Sequence, residues 1–228
     1  IEIIPHGVHD VSFEPSIVSK KRLGYEDHIL LSSFGLLRGY KYRMSFGKGY
    51  EYVLEALSEV IKKFPNVLYL IIGETHPTTK EREGEKYRNF LKRKIKKLGL
   101  DKHVKFVNKY LSLDELLLCL KASDIYISSS LSVGQISSGT VAYAMGCGRP
   151  VVSTSFLHAK DAITPDRGIL VDGFRKPELF SEAIVKILSN PSLKEKMEKN
   201  AYEYTRQMTW HNVATSYIKV FNNLNGHP

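Results

Sequence analysis

The sequence predicts an α/β protein in which a parallel sheet is covered by helices on both faces. Apolar, strand-like runs alternate with amphipathic, helix-like stretches along almost the whole of the 228-residue chain, which is the pattern of repeated βα units. Residues 67–73 (VLYLIIG) are continuously apolar, as expected of a central parallel strand that is buried on both faces. Together these observations predict a doubly wound, Rossmann-like sheet.

The first half of the chain contains three predicted strands, at residues 29–37, at 67–73 and near 104–107, and a helix follows each of them. The third helix ends near residue 120 and is marked by a capping box of Ser112 with Glu115. The first helix, residues 49–64, is indicated by apolar residues at helical spacing, namely Val53, Leu54, Leu57, Val60, Ile61 and Phe64.

The second helix, residues 87–98, carries much of the positive charge of the chain. Its predicted buried stripe consists of Tyr87, Phe90, Leu91, Ile95 and Leu98. Its basic residues fall largely on the other side, as in a solvated face: Lys92, Arg93, Lys94, Lys96 and Lys97.

The second half of the chain continues with strands at residues 125–128, 151–153 and 167–171, with a short helical segment between the last two. Three helices then close the chain, and they start near Lys176, Ser192 and Trp210. The sequence Asn-Pro-Ser at residues 190–192, followed by Glu195, predicts a second capping box at the middle one.

Residues 135–154 (QISSGTVAYAMGCGRPVVST) predict an anion site. Small polar residues begin a short apolar helix, and a glycine-rich turn with Pro150 ends it before the next strand. The helix start would present backbone N–H groups and hydroxyls at its positive end, where α/β proteins bind phosphate. An ordinary helix–turn–strand unit explains the apolar residues here, but it does not explain the cluster of Ser137, Ser138, Gly139 and Thr140.

Polar loops follow several of the predicted strands, and parallel strands bring their carboxyl ends to one edge of the sheet, where ligands bind. The loop at residues 35–49 holds Arg38, Lys41, Arg43 and Lys48 among glycines. Residues 73–77 (GETHP), 107–110 (VNKY) and 128–130 (SSS) follow three further strands. Any one of these loops fits a solvated turn, whereas four on the same edge indicate a binding crevice.

Charge and composition narrow the classes of partner. The net charge of +9 invites a nucleic-acid hypothesis, but no zinc-ligand spacing, aromatic RNA-reading motif or helix-turn-helix signature supports it, so no nucleic-acid partner is expected. Contact with anionic phospholipid headgroups fits the charge better. No apolar run reaches the roughly 20 residues that span a bilayer. Cys119 and Cys147 lie in apolar settings, which predicts a cytoplasmic protein, with peripheral contact at the inner membrane face as an extension. Abundant Lys, Glu, Tyr and Ile hint at a thermophilic source.

Short segments spread over the whole chain match the motifs of a known family. They are IPHGV at residues 4–8 with Phe13 and Pro15, FG at 34–35, KG at 48–49, GE at 73–74, ASD at 122–124, AMGCGRPVV at 144–152, RGILV at 167–171 and Trp210 in the final helix. The segment at residues 144–152 is the most specific of them. In these segments the chain resembles the C-terminal, donor-binding domain of a GT-B glycosyltransferase of the retaining family 4, also called group 1.

The resemblance implies the C-terminal half of a GT-B fold, which binds a UDP- or GDP-linked sugar as substrate and uses no cofactor. Residues 1–28 would arrive from an N-terminal domain of the same polypeptide, residues 29–208 would form the nucleotide-sugar-binding domain, and residues 209–228 the closing helix. The implied activity transfers a hexose, with retention, to a glycan or lipid-linked acceptor in polysaccharide biosynthesis. The fragment alone would be inactive, because the acceptor site of the family lies mainly in the N-terminal domain.

The resemblance also implies the residues that hold the donor. Lys48 would neutralise the diphosphate, and the helix start at residues 136–139 would donate backbone N–H groups to it. The complete expected set is Gly35, Arg38, Lys48, Gly73, Glu74, Gln135, Ile136, Ser137, Ser138, Gly139, Thr140 and Tyr143.

Two positions depart from the family pattern. Many relatives carry two glutamates eight positions apart, one near the sugar and one at the ribose, where this chain has Gln135 and Tyr143. Gln135 is the candidate residue at the donor sugar but carries no charge, and the Tyr143 phenol can accept one hydrogen bond from a ribose hydroxyl. The usual arginine aligns with Leu36, which leaves Arg38 or Arg43 to reach the diphosphate.

These departures indicate either a divergent transferase or a non-catalytic nucleotide-sugar-binding homologue. Another GT-B enzyme, such as a sugar phosphorylase or nucleotide-sugar epimerase, is a separate alternative. His76 and His158 follow strand ends and either line the site or are solvated. Neither histidine has a metal-ligand spacing, and an acidic cluster is missing, so metal-independent binding is expected.

Overall fold

The computed structural model describes residues 2–38 and 47–224. Within them, six parallel strands form one sheet in the order β3-β2-β1-β4-β5-β6. The strands are β1 (Ile29–Phe34), β2 (Val67–Ile72), β3 (Val104–Val107), β4 (Ile125–Ser128), β5 (Val151–Thr154) and β6 (Gly168–Val171). The helices are α1 (Ser16–Leu23), α2 (Tyr50–Lys63), α3 (Pro77–Glu83), α4 (Lys86–Lys97), α5 (Leu113–Ala122), α6 (Gly139–Gly146), α7 (Leu157–Ala162), α8 (Pro177–Leu188), α9 (Pro191–Arg206) and α10 (Trp210–Leu224).

The strand order confirms the predicted Rossmann-like α/β class. The chain builds the sheet outward from β1 to β3, then crosses back to β4 and builds outward on the other side. This reversal between β1 and β4 is the place where open α/β sheets bind ligands, because the loops that leave the two strands diverge there.

Helices cover both faces of the sheet because successive strand residues point to opposite sides. On one face, Leu31 of β1 belongs to the buried cluster that contains apolar residues of α2, α4 and α8. On the other face, Leu30 lies in a cluster with residues of α5, and Tyr126 of β4 packs with residues of α6, α7 and α9.

Strand β1 ends earlier than predicted. It stops at Phe34 rather than at residue 37, because Gly35 has a φ of +130°, a conformation outside the extended range of a strand. Beyond it, Leu37 pairs with Thr75 only through an isolated bridge.

Two helices, α1 and α3, were not predicted from the sequence. Helix α1 lacks an apolar stripe and buries Ser16, Ser19 and Lys20 instead, while α3 buries none of its residues. Hydrophobic periodicity is the main sequence signal for a helix, and both segments lack it, so the sequence did not predict these helices.

Helix α4 matches the predicted basic helix to within one residue at each end. Phe90 is the exception in its predicted buried stripe, because 42% of this residue is exposed. Lys94 forms an ion pair with Glu55, whereas Lys92, Arg93, Lys96 and Lys97 are exposed, as predicted.

One of the two predicted capping boxes is confirmed. At α5 the Glu115 N–H donates to Ser112 Oγ and the Ser112 N–H donates to the Glu115 carboxylate. The box predicted at Ser192 is wrong: Asn190 caps α9 by accepting from the Leu193 N–H at 3.0 Å. Pro191 takes the first helical position, so Ser192 lies inside the first turn, and Glu195 pairs with Lys199 instead.

The N-terminal segment packs against the start of the last helix. Residues 2–7 form no strand, and Val8 makes a single bridge with Thr209. The Val8 N–H donates to the Met208 carbonyl at 2.7 Å, and the Trp210 N–H donates back to Val8 at 3.0 Å. None of the helices in the described ranges is long and apolar enough to cross a bilayer.

Candidate functional site

A cleft of about 320 Å³ opens at the carboxyl edge of the sheet, between the loop after β1 and the loop before α6. Its walls are Gly35, Leu36, Arg38, Lys48, Ser130, Ser132, Gln135 and Thr140. A narrow floor continues inward and is rich in hydroxyl groups, from Ser33, Tyr50, Tyr126, Ser128, Ser129 and Ser138. These lining residues include two cations and no carboxylate, so the cleft favours an anion.

The backbone of Lys48 is fixed between two loops. Its carbonyl accepts a hydrogen bond from Ser129 Oγ at 2.7 Å, and its N–H donates to the Arg38 carbonyl at 3.3 Å. Gly49, with a φ of +64°, lies so close to the Ser129 carbonyl that no side chain fits there. The glycine therefore lets α2 begin against the end of β4, and this contact aims Lys48 into the cleft.

The Lys48 ammonium lies beside Gly35. Its Nζ is 3.5 Å from the point where a Cβ of Gly35 would stand, and Thr140 Cγ2 is 3.7 Å from the same point. Within the described part of the chain, no carboxylate comes within ion-pair distance of Lys48. Burial lowers the pKa of Lys48, and repulsion from Arg38 lowers this pKa further. A desolvated cation without a counter-ion in a cleft is a candidate ligand for an anionic substrate.

Helix α6 presents its N-terminus to the same cleft. Ser138 caps the helix by accepting from the Val141 N–H at 3.4 Å, and its Oγ is 3.2 Å from Thr140 Oγ1. The N–H groups of Gly139 and Thr140 bond to no other described residue. Free N–H groups and the positive end of the helix dipole both attract a phosphate.

Gln135 shapes the loop that leads into α6. Its Oε1 accepts from Ser130 Oγ at 3.0 Å, and its Nε2 donates to the Ser137 carbonyl at 2.9 Å. The Gln135 carbonyl also accepts from the His158 N–H at 3.0 Å. The structure thus brings Gln135, Ser138 and Thr140 to the cleft, whereas Ser137 is exposed and Ile136 is 80% exposed.

Gly73 and Glu74 lie at the neighbouring strand end and outside the cleft lining. A Cβ on Gly73 would collide with the Gly35 carbonyl, so glycines at both positions allow the ends of β1 and β2 to meet. The Leu37 N–H donates to the Glu74 carbonyl at 2.8 Å, and the Glu74 residue is exposed.

Tyr143 lies one turn into α6, where its ring stacks on Phe34 at a centroid distance of 6.3 Å. It is half-buried. Lys41 and Arg43, two further predicted cations of the loop after β1, lie outside the described residues.

Two histidines singled out from the sequence lie close to the cleft. His76 immediately precedes α3, and burial followed by repulsion from Arg38 lowers its pKa. His158 is half-buried on α7, and burial lowers its pKa as well. Across residues 2–38 and 47–224, no cluster of three or more His, Cys, Asp or Glu side chains is arranged to hold a metal ion.

Sequence reasoning missed three residues near the cleft: Ser33, Tyr126 and His6. Ser33 bonds to the Tyr69 hydroxyl at 2.7 Å, and burial raises the pKa of Tyr126 to about 12, so its phenol stays protonated. The serines that interrupt the apolar run of β1 were a usable signal for Ser33. His6 stands in the family-like segment IPHGV, but nothing in that segment indicates its contact with Gly139, which joins positions far apart in the chain.

The chain is similar to known glycosyltransferases. The family model described as "Glycosyl transferases group 1" matches residues 39–204. An uncharacterised glycosyltransferase of Methanocaldococcus jannaschii is 27% identical over 182 residues, which cover 78% of this chain and 42% of that protein. A GDP-mannose-dependent monoacylated α-(1-6)-phosphatidylinositol monomannoside mannosyltransferase of Corynebacterium glutamicum is 24% identical over 200 residues, covering 83% and 47%.

Among solved structures, Anabaena HepE in complex with UDP shares the fold with a TM-score of 0.75 at 20% identity. The superposition covers 92% of this chain and 52% of HepE. The chain therefore spans about half the length of the relatives it matches.

Proposed function

Because the chain belongs to the glycosyl transferases group 1 family, we propose that it is the donor-binding domain of a retaining glycosyltransferase. The enzyme moves a hexose from a nucleoside-diphosphate sugar to a glycan or lipid-linked acceptor. The observation that carries this proposal is the Lys48 ammonium, which has no counter-ion in the described chain and faces the free N–H groups of α6 across a cleft without carboxylates.

We place the diphosphate between Lys48 and the start of α6. When the bond between sugar and diphosphate breaks, negative charge accumulates on the departing diphosphate. Positive groups that are already in place stabilise this charge, and removal of one such contact typically raises the barrier by about 2.7–4 kcal/mol. Gly35 supports the placement, because a side chain there would fill the space next to Lys48 Nζ.

The remaining predicted residues surround this position. We place the donor sugar near Gln135, the ribose near Tyr143 on α6, and the nucleoside toward Gly73 and Glu74 at the end of β2. Arg38 lines the cleft beside Lys48 and supplies a second positive charge to the diphosphate.

A non-catalytic nucleotide-sugar-binding homologue is the second candidate. It is favoured by Gln135, whose amide is neutral and already bonded to Ser130 and Ser137, so it cannot offset a developing sugar cation. Glycosyl transfer by the full-length polypeptide separates the two candidates: turnover supports the transferase, and tight donor binding without turnover or donor hydrolysis supports the non-catalytic homologue.

We further propose that the acceptor site belongs to a separate N-terminal domain of the same polypeptide. The relatives are about twice as long as the matched region, which leaves room for a second domain. Appreciable transfer by the 228-residue chain alone would contradict this two-domain arrangement.

A thermal-shift panel of UDP, GDP, ADP and their sugars tests donor binding. A ligand at a hundredfold excess over its Kd should stabilise the chain by about 2.7 kcal/mol, and the base with the largest shift identifies the donor. Excess EDTA should leave the shift unchanged, because metal-independent binding is expected. Equal shifts with inorganic phosphate and every nucleotide would favour a phosphorylase-type enzyme instead.

The exposed basic face of α4 is a separate surface, and we propose that it contacts anionic membrane at the inner face. Its exposed cations form no ion pair with a described carboxylate; they are Lys92, Arg93, Lys96 and Lys97. Co-sedimentation with anionic but not with zwitterionic vesicles should follow. Equal recovery with both kinds of vesicle would refute this contact.

A further inference from the structure

His6 of the N-terminal segment lies against the first turn of α6. Its Nε2 is 2.7 Å from the point where a Cβ of Gly139 would stand, so only glycine at position 139 lets the imidazole approach this closely. His6 is half-buried. The imidazole therefore stands beside the free N–H groups to which the diphosphate is assigned.

The ring is held in one orientation. Tyr143 and Trp210 each contact it at a centroid distance of 5.6 Å, from α6 and α10 respectively. Its Nδ1 lies 2.7 Å from the Gly7 carbonyl, and a carbonyl can only accept, so Nδ1 carries a proton. Nε2 is left facing α6, without a hydrogen-bond partner among the described residues.

The proton on Nδ1 determines what Nε2 can do. In the neutral ring Nε2 is an acceptor, and an acceptor repels a phosphate oxygen. Donation to phosphate therefore requires the imidazolium, which adds a positive charge at the helix N-terminus. Charge-assisted hydrogen bonds of this kind are stronger than neutral ones.

We propose that His6 is a phosphate ligand of the donor site and that it binds as the imidazolium, donating from Nε2 to a phosphate oxygen at the start of α6. The proposal rests on the proposed function for the identity of the ligand. It extends that function by adding a residue from outside the sheet to the diphosphate site and by coupling donor binding to uptake of one proton.

Other titratable groups surround His6 and set the background for this coupling. His9 of the same segment contacts Tyr143, and burial, then repulsion from His6, lowers the pKa of His9. On α7, burial lowers the pKa of His158, Asp161 raises it and His6 lowers it. Because donation from Nε2 requires the imidazolium, donor affinity should be higher at pH 5.5 than at pH 8.

Calorimetric titration with a nucleoside-diphosphate sugar between pH 5.5 and 8 tests the proposal. Each phosphate of this ligand has one ester link and one anhydride link, which leaves a single strongly acidic group that does not titrate in that range. Any pH dependence therefore comes from the protein. Uptake of one proton on binding should make the affinity about tenfold higher at pH 5.5 than at pH 8. His6→Asn keeps an amide near the Gly7 carbonyl but loses Nε2, and His9→Gln is the matched control.

We expect the affinity to depend on pH in the wild type and in His9→Gln but not in His6→Asn. At pH 5.5 the affinity of His6→Asn should be about tenfold weaker than that of the wild type. His6→Gln, which offers a neutral donor near Nε2, should bind with intermediate affinity and no slope. Binding whose slope is the same in His6→Asn as in the wild type overturns the role of His6 and leaves the proposed function intact. Absence of donor binding in the wild type overturns both.

Discussion

At the scale of single residues, the cleft depends on Lys48 more than on any other side chain. Its backbone is bonded to Arg38 and Ser129, and its ammonium is desolvated without an ionic partner in the described chain. This combination disfavours the charged form in the free protein. Binding of an anion would stabilise the charged ammonium again, so Lys48 is suited to bind a diphosphate.

Lys48→Arg should change the pH dependence of diphosphate binding. Burial and Arg38 lower the pKa of Lys48. As the pH rises into the alkaline range, the wild type therefore loses the charge of Lys48 and with it affinity for the diphosphate. Arginine stays protonated. Titration calorimetry with a nucleoside diphosphate at pH 7 and at alkaline pH should show a smaller loss in the variant; parallel losses would show that another group titrates.

Gln135→Glu, which introduces the glutamate that the family resemblance implies at this position, should weaken donor binding. The Gln135 amide donates to the Ser137 carbonyl at 2.9 Å, and a carboxylate oxygen in its place would repel that carbonyl and move the start of α6. A lost hydrogen bond that leaves such a group unsatisfied costs about 1–3 kcal/mol. The measurement is affinity for a nucleotide sugar, with Gln207→Glu as the control; tighter binding or gained turnover would instead support a domain that has lost catalysis.

Residue by residue, the sequence was informative about chemistry that is local in the chain. Lys48, Ser138 and Thr140 come to the cleft because each stands next to a strand end or a helix start that the pattern predicts. His6 and Tyr126 were missed because contacts between distant segments decide their positions, and no local pattern encodes such contacts.

At the scale of elements, the site is built by the close approach of the β4 end to the start of α2. Gly49 allows this approach, since a Cβ there would meet the Ser129 carbonyl. Its left-handed φ of +64° is shared by Gly99, with a φ of +67°, but Gly99 has open space around it. Substitution of Gly99 therefore tests the effect of the backbone conformation alone, whereas substitution of Gly49 adds the steric clash with Ser129.

Gly49→Ala should destabilise the protein more than Gly99→Ala. The left-handed conformation alone costs an alanine about 1–2 kcal/mol, which both variants share, and the clash with Ser129 adds to this only at position 49. Gly49→Ala should also weaken diphosphate binding, because it displaces Lys48. Urea unfolding and calorimetry measure the two effects; equal destabilisation would mean that the β4 loop moves freely away.

Element prediction succeeded where hydrophobic periodicity was strong and failed where packing is polar. Helix α2 and strand β2 were predicted to within a residue or so of their observed ends. Helix α1 was missed because its buried residues are serine and lysine, which contact charged groups of the core instead of an apolar face.

At the scale of the whole molecule, a buried ion cluster fastens the N-terminal segment to the sheet at the edge opposite the cleft. Asp124 pairs with Lys20 of α1 and, at 3.3 Å, with Lys194 of α9, and it accepts from the Leu30 N–H at 2.8 Å. Arg149, which is fully buried, donates to the carbonyl of Glu14 at 3.0 Å. Residues from both ends of the chain thus meet under β4 and β5.

Asp124→Asn should reduce stability at neutral pH by about 3–5 kcal/mol, because it leaves the buried Lys20 without an ionic partner. Burial opposes ionisation of Asp124, but Lys194 and Lys20 outweigh it, so its pKa is lowered. The stabilisation is present above the unfolded value near 3.9 and is lost as pH falls through the lower folded pKa. Urea unfolding should show that the difference in free energy of unfolding between the wild type and Asp124→Asn is smaller below about pH 4 than at pH 7. The exposed Asp101→Asn is the control. A difference that is the same at both pH values would contradict the ionic origin.

The most direct test of a diphosphate site between Lys48 and α6 is the affinity of the protein for a nucleoside diphosphate and for its parent nucleoside, measured by calorimetry in the wild type, Lys48→Ala and the exposed control Lys63→Ala. We predict that Lys48→Ala weakens diphosphate binding by about tenfold or more and leaves nucleoside binding unchanged, while Lys63→Ala alters neither. Equal affinities of the wild type and Lys48→Ala for the diphosphate would contradict the site.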